Sequence, residues 1–307
     1  MRHLLRSAFA LSLAAAALAA HAERIYGVTD GGTGSTTTSL VSFDSATPGT
    51  FTTSVAITGL VAGQFLRGID FRPSNGLLYA VSAGNTTATA TSAQLYTVNL
   101  TTGALTTVGS GFTIAGNGST RVSIDFNPVV DALRVVTGTA QNYRVNPVTG
   151  ALIAQDTNIT PADLIADVAY SNNVAGATST TLYAYDYTTD ALGTIGGVGG
   201  TPSPNGGAYT AIGSTGLVSA IAAIGFDISG ATGVGYISLD DDASTTADTE
   251  FYSANLTTGA LSLLGTSPGA LLDISAAPQA APVPEPATLA ALGLGAAALL
   301  RRRRQSA

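Results

Sequence analysis

The sequence predicts an all-β fold: a five-bladed β-propeller closed by N- and C-terminal strands in one blade, with a short C-terminal apolar helix after it. Three observations carry this. A stretch from Arg67 to Gly109 reads as four short strands, its pattern recurs at steps of roughly 50 residues, and the two ends hold complementary fragments of one further copy.

Within that stretch, Ile69-Asp70-Phe71 alternates and is stopped by Pro73. Ser74-Asn75-Gly76 has turn chemistry. Leu77 to Ser82 and Gln94 to Asn99 are the next strands, rich in Tyr, Val and Thr. Asn99 to Gly103 makes a hairpin loop in which the Asn side chain bonds backbone two residues on and Gly103 takes the left-handed closing position. Ala104 to Gly109 is the fourth strand. One such unit cannot bury both its faces, whereas stacked copies can.

The second copy runs from Val122 through Leu133 to Val136 and Gln141 to Asn146, and ends at Ala151 to Ala154. The third is looser: Asp167 to Tyr170, Thr181 to Tyr185, Ala191 to Ile195, a Gly/Pro loop from Gly196 to Gly207, then Ala208 to Gly213. The fourth comprises Ala222 to Ile228, Val234 to Ser238, Glu250 to Asn255 and Ala260 to Gly265. At the start, Arg24 to Thr29, Ser39 to Asp44 and Phe51 to Ile57 match second, third and fourth strands. Ala270 to Ser275 matches an opening strand with nothing after it. Joined, they make a fifth blade and remove the edge that an open sandwich would expose.

The ends give the expected organisation. Residues 1–22 read as a signal peptide: Arg2 and Arg6, an apolar run from Ser7 to Ala20, and an A-x-A site whose small residues are Ala20 and Ala22. The propeller occupies 23–277, a proline-rich linker 278–286, and an apolar helix with an arginine cluster 287–307. Ala287 to Leu300 as a helix is about 21 Å long, a marginal span for a core of about 30 Å. Val283-Pro284-Glu285-Pro286, that helix and Arg301, Arg302, Arg303 and Arg304 resemble a PEP-CTERM sorting signal. The resemblance implies a Gram-negative host, transient anchoring in the inner membrane, cleavage by an exosortase after signal peptidase has acted, and delivery to the cell surface or an exopolysaccharide matrix. The body resembles the domain of unknown function 4394 family through Leu66-Arg-Gly-Ile-Asp-Phe-Arg-Pro73, Ile124-Asp-Phe-Asn-Pro-Val-Val-Asp131 and Gln141-Asn-Tyr-Arg-Val-Asn-Pro147. It implies the fold and carries no chemistry with it.

Charge and composition narrow the function. Both histidines, His3 and His21, fall in the signal, and the chain has no Cys, Trp or Lys. The propeller holds six arginines against eighteen acidic residues, a net charge of −12, which repels nucleic acid and anionic membrane. Without Cys, His or Lys there is no thiol nucleophile, Ser-His-Asp triad, Schiff base or His/Cys metal centre. No cofactor is expected. Carboxylates leave two chemistries, glycoside hydrolysis and calcium binding.

Asp70, Asp125 and Asp273 read as one repeat position in the strand expected to line the central channel, where the other copies have Ala169 and Gly225. Asp167 and Asp227 read as out of phase. One expectation is a carboxylate-lined channel mouth that binds a sugar or a cation. The favoured one is that each Asp bonds turn backbone two to four residues later. Asp240, Asp241 and Asp242 are an alternative calcium site without an EF-hand pattern, and otherwise no metal site is expected. Arg67, Arg121, Arg134 and Arg144 are expected to pair with the aspartates or to bind an anionic sugar. The resulting reading is an exported, non-catalytic surface or matrix protein that binds polysaccharide or a protein partner. The alternative is a carboxylate-dependent glycoside hydrolase.

Overall fold

The structure is a computed structural model that describes residues 22–29, 38–84, 90–115, 121–161, 164–217, 224–239 and 248–278. Ala20, Asp240, Asp241, Asp242, Pro284, Glu285, Pro286, the apolar helix and Arg301 to Arg304 lie outside the described residues.

Among the described residues, twenty strands form five four-stranded antiparallel sheets. The chain enters with β1 (Arg24–Thr29), β2 (Ser39–Asp44) and β3 (Thr47–Ala56). The second blade is β4 (Gln64–Phe71), β5 (Leu78–Gly84), β6 (Ala90–Val98) and β7 (Leu105–Ala115). The third is β8 (Val122–Asn127), β9 (Ala132–Thr137), β10 (Asn142–Val145) and β11 (Leu152–Gln155). The fourth is β12 (Ile165–Tyr170), β13 (Leu182–Asp186), β14 (Ala191–Ile195) and β15 (Tyr209–Ser214). The fifth is β16 (Ile224–Ile228), β17 (Gly235–Leu239), β18 (Thr249–Ala254) and β19 (Leu261–Ser267). Finally β20 (Leu271–Ala276) pairs with β1, so the first blade has the order β20-β1-β2-β3. The predicted closure is therefore the observed one.

The opening strand of the second blade is longer than the sequence suggests. It begins at Gln64 because the register shifts between Leu66 and Gly68, a bulge at Arg67 that lets pairing continue past a residue breaking the alternation.

The innermost strands β4, β8, β12, β16 and β20 pack in a closed circuit about the axis. Each is buried along most of its length, whereas β11 and β19 at the rim are largely exposed. Among the described residues, five apolar clusters fill the spaces between blades, one per interface. Between the second and third, Val81, Leu95, Ile124, Val135 and Tyr143 meet. At the closure, Ile25, Val41, Phe43, Phe251 and Ile274 do the same. Edge-on aromatic pairs bridge blades here, Tyr79 with Phe126 and Phe43 with Phe251, each at 5.1 Å between centroids. Such pairs add about 0.5–1.5 kcal/mol beyond their buried area.

The predicted hairpin chemistry recurs. Asn99 Oδ1 accepts from the N–H groups of Thr101 and Thr102, Asn146 from Val148 and Thr149, and Asn255 from Thr257 and Thr258. Gly150, with φ of 66°, closes the second of these turns. A Cβ there would sit 2.1 Å from the Val108 carbonyl oxygen of the adjacent blade, so glycine also sets how closely the blades approach.

Candidate functional site: the axial carboxylates and an arginine-lined cleft

The strand ladders fix which axial residues share a level. Asp70 lies opposite Tyr79, Asp125 opposite Arg134, Ala169 opposite Tyr183, Asp227 opposite Tyr236 and Ser275 opposite Tyr26. Those partners are equivalent positions of the second strands, so Asp70, Asp125, Ala169, Asp227 and Ser275 form one level. Two residues earlier stands a second level: Gly68, Ser123, Asp167, Gly225 and Asp273. This corrects the phase read from sequence. Asp227 belongs with Asp70 and Asp125, and Asp273 belongs with Asp167. A slip of two residues keeps a strand's facing unchanged, so alternation alone could not reveal it.

The bonds made by these carboxyls also differ from expectation. They reach the neighbouring blade instead of the turn in their own. Asp70 Oδ2 accepts from the Phe126 N–H at 2.8 Å, Asp167 Oδ2 from Phe226 at 2.7 Å, Asp227 Oδ2 from Ala276 at 2.6 Å and Asp273 Oδ2 from Ile69 at 2.7 Å. Asp125 accepts from the backbone of Tyr170. Serine does the same at two places: Ser123 Oγ accepts from the Val168 N–H, and Ser275 Oγ from the Phe71 N–H. Where a level carries Ala169 or Gly225, the next blade satisfies its own amide: Ile228 donates to Asp227 Oδ1 and Ile274 to Asp273 Oδ1. Bonded backbone amides thus link blade to blade about the axis, as buried polar groups require.

These aspartates are 1–4% exposed. Burial pushes the Asp70 carboxyl well above the usual carboxylate range, and the nearby Asp227 adds to it. Burial does the same to Asp125, helped by Asp70 and Asp227, and to Asp273, helped by Asp167. Burial raises Asp167 to about 7 and Asp227 to about 6. Loss of hydration outweighs the N–H groups aimed at each carboxylate.

A separate cleft of about 250 Å³ opens between the third and fourth blades. Its wall includes Asn127, Arg134, Arg144, Tyr170, Thr180 and Asn205. Beneath it Asp156 takes both arginines: Arg134 Nη1 at 2.7 Å, Arg144 Nε at 2.8 Å and Arg144 Nη2 at 2.8 Å. Burial pushes the Asp156 carboxyl up, but the bonds from Arg144 and Arg134 outweigh this and hold it below its usual value. Arg134 is itself buried and gives three further N–H groups to Asn142, Asn205 and Tyr170. Two guanidiniums share one carboxylate, leaving the cleft net positive on an acidic protein.

Arg134 and Arg144 therefore pair with Asp156 and not with the axial aspartates. Arg67 lies over the Phe65 ring at 5.6 Å and Arg121 over the Tyr187 ring at 4.7 Å, with an electrostatic attraction from Asp167 to the latter. Sequence reasoning missed Asp156, Ser123, Ser275 and Asn205. The two serines have a readable signal: small polar residues alternate with apolar ones on the strand that opens each repeat. Asp156 and Asn205 lie outside the repeat pattern and have none.

A five-bladed propeller that carries a surface-sorting tail is the class these observations define. Residues 282–304 match the PEP-CTERM protein-sorting motif, which an exosortase recognises and which marks proteins for export and sorting to the cell surface of Gram-negative bacteria. The chain belongs to the domain of unknown function family DUF4394, whose match covers residues 39–275. No curated protein matches it. Similar solved structures include a glutaminyl cyclase from Myxococcus xanthus, 14% identical, with 65% of this chain and 76% of that one covered and a TM-score of 0.40. Another is a structural genomics protein of unknown function from Bacteroides thetaiotaomicron, 12% identical, with 79% and 57% covered and a TM-score of 0.45. Likeness at this level says nothing about chemistry.

Proposed function

We propose that this protein is a non-catalytic surface or matrix protein whose propeller binds a polysaccharide carrying scattered carboxylate groups, through the cleft between the third and fourth blades. The observation that carries the reading is the pair of guanidiniums on one carboxylate at the cleft wall. Arg144, with 28% of its side chain exposed, keeps donors for a ligand carboxylate beyond those given to Asp156. Asn127, Thr180 and Asn205 offer amides and a hydroxyl suited to sugar hydroxyls. The propeller's charge of −12 opposes a dense polyanion at long range, whereas a local positive cleft favours an isolated carboxylate at contact. We further propose the organisation read from sequence: a signal peptide cut after Ala22, a propeller over 23–277, and a tail cut near Pro284-Glu285-Pro286.

The hydrolase reading asks for two carboxylates about 5–10 Å apart across a cavity. The cleft wall holds no Asp or Glu among the described residues, and the close axial carboxylates are buried. The test is calorimetry and product analysis of the exported protein with galacturonate-containing oligosaccharides and neutral homologues. Binding of the acidic series, lost in Arg144→Ala and free of new reducing ends, supports the proposal. Release of reducing ends, or equal affinity for both series, refutes it.

A further inference from the structure

The axis holds a feature that surface binding leaves unused. Asp70, Asp125 and Asp227 stand on one level, come from three blades, and each places one oxygen within 4.8 Å of the others. Calcium–oxygen distances are about 2.3–2.6 Å, so oxygens on opposite sides of one calcium ion stand up to about 5 Å apart, and a spacing within 4.8 Å is compatible with a shared ion. Backbone N–H groups of Phe126, Tyr170 and Ala276 already fix the three carboxylates, so a cation meets a prearranged set.

A second observation points to a ligand. Asp125 Oδ1 is buried without a hydrogen-bond partner, in a residue only 1% exposed. A buried carboxylate oxygen left without a partner is costly, and native structures rarely keep one. Arg134, its neighbour across the ladder, is turned away to Asp156, Asn142, Asn205 and Tyr170.

We infer that the propeller axis is a calcium site, with Asp70, Asp125 and Asp227 as its carboxylate ligands and the Ser275 hydroxyl beside them. Ser275 Oγ lies 3.0 Å from an oxygen of Asp70 and 3.0 Å from one of Asp227, on the same level. An all-oxygen, carboxylate-rich set suits a hard divalent cation and not zinc or copper. The ion would replace mutual repulsion among three buried carboxylates by attraction, and so tie three blades to one centre. Extracellular calcium modules work at dissociation constants of about 10⁻⁴–10⁻³ M, the regime that export to the surface provides. The inference does not depend on the cleft or on any polysaccharide.

The test takes the exported protein, strips it with EDTA, and titrates it with calcium chloride alone and then magnesium chloride alone. The expected result is one calcium per chain, a melting temperature that rises with calcium, and an affinity weakened by roughly 100-fold or more in Asp125→Asn. Without calcium that variant should melt at or above the parent, since it removes a repelled charge. Hydrogen exchange on the unmutated protein keeps the test independent of variant folding. Calcium should slow exchange at Phe126, Tyr170 and Ala276. Absence of stoichiometric binding, binding undiminished in Asp125→Asn, or protection centred on the strand from Thr249 instead of the axis would overturn the inference.

Discussion

Removing Asp273 tests whether the axial carboxyls hold the ring together. Its Oδ2 accepts from the Ile69 N–H of the second blade at 2.7 Å, and its Oδ1 from its own Ile274 N–H at 2.8 Å. Asp273→Ala orphans both buried donors. Each costs about 1–3 kcal/mol, or roughly 2–6 kcal/mol together. Part is returned, because burial and the adjacent Asp167 hold the carboxyl's pKa well above normal and the folded state already bears that cost. The net loss should be about 2–4 kcal/mol. At about 2–4 °C per kcal/mol for a domain of this size, the melting temperature falls by roughly 4–16 °C. Asp273→Asn keeps one acceptor and should lose about half as much. Urea denaturation should show a lower midpoint with an unchanged slope. The exposed turn at Asn255, whose Oδ1 accepts from the N–H groups of Thr257 and Thr258, supplies the control: water can replace the lost bonds, so Asn255→Ala should cost no more than about 1 kcal/mol. A loss for Asp273→Ala under about 0.5 kcal/mol, or no greater than the control, refutes the interblade role.

Three further outcomes follow from the same geometry. Burial raises Asp167 from 3.8 to about 7, so the folded state holds a proton that the unfolded chain has released; that stability is complete below pH 4 and lost as pH rises through 7. In EDTA the melting temperature should therefore fall by several degrees between pH 5 and 8, with a flatter limb in Asp167→Asn; a rise over that range contradicts the assignment. Gly150→Ala combines a left-handed φ of 66° with a Cβ 2.1 Å from the Val108 oxygen and should cost about 2–3 kcal/mol in denaturant titration, with near-neutrality counting against the contact. Mass spectrometry of the exported protein should find Glu23 at its start and no Arg301–Arg304 segment; an intact tail contradicts the processing scheme.

Strand positions were legible because each repeat pairs β-branched and aromatic alternation with its own turn chemistry. β1, β2 and β14 fall on the expected residues, and the orphan Ala270 to Ser275 finds its partner in β1. The phase of the aspartates was not legible. Matching the Asp of Gly68-Ile-Asp-Phe71 to that of Leu272-Asp-Ile-Ser275 is natural by letter and wrong by two residues. The clue lay in the second strands, where Tyr79, Tyr183, Tyr236 and Tyr26 mark the true column. The cleft was hidden for another reason. Arg134 and Arg144 are repeat residues, but Asp156 and Asn205 come from connections between strands, and only folding brings them together.

The last strand leaves the ring on the side where the cleft opens. The innermost strands all run toward one face, where β8 ends at Asn127, β12 at Tyr170 and β20 at Ala276. The cleft opens among the residues just past the first two of these ends, so it shares that face with the point where the chain leaves for its C-terminal segment. Whatever is joined to the chain past Ala276 is therefore joined on the side of the ring where the cleft opens, and a ligand in the cleft approaches from that same side.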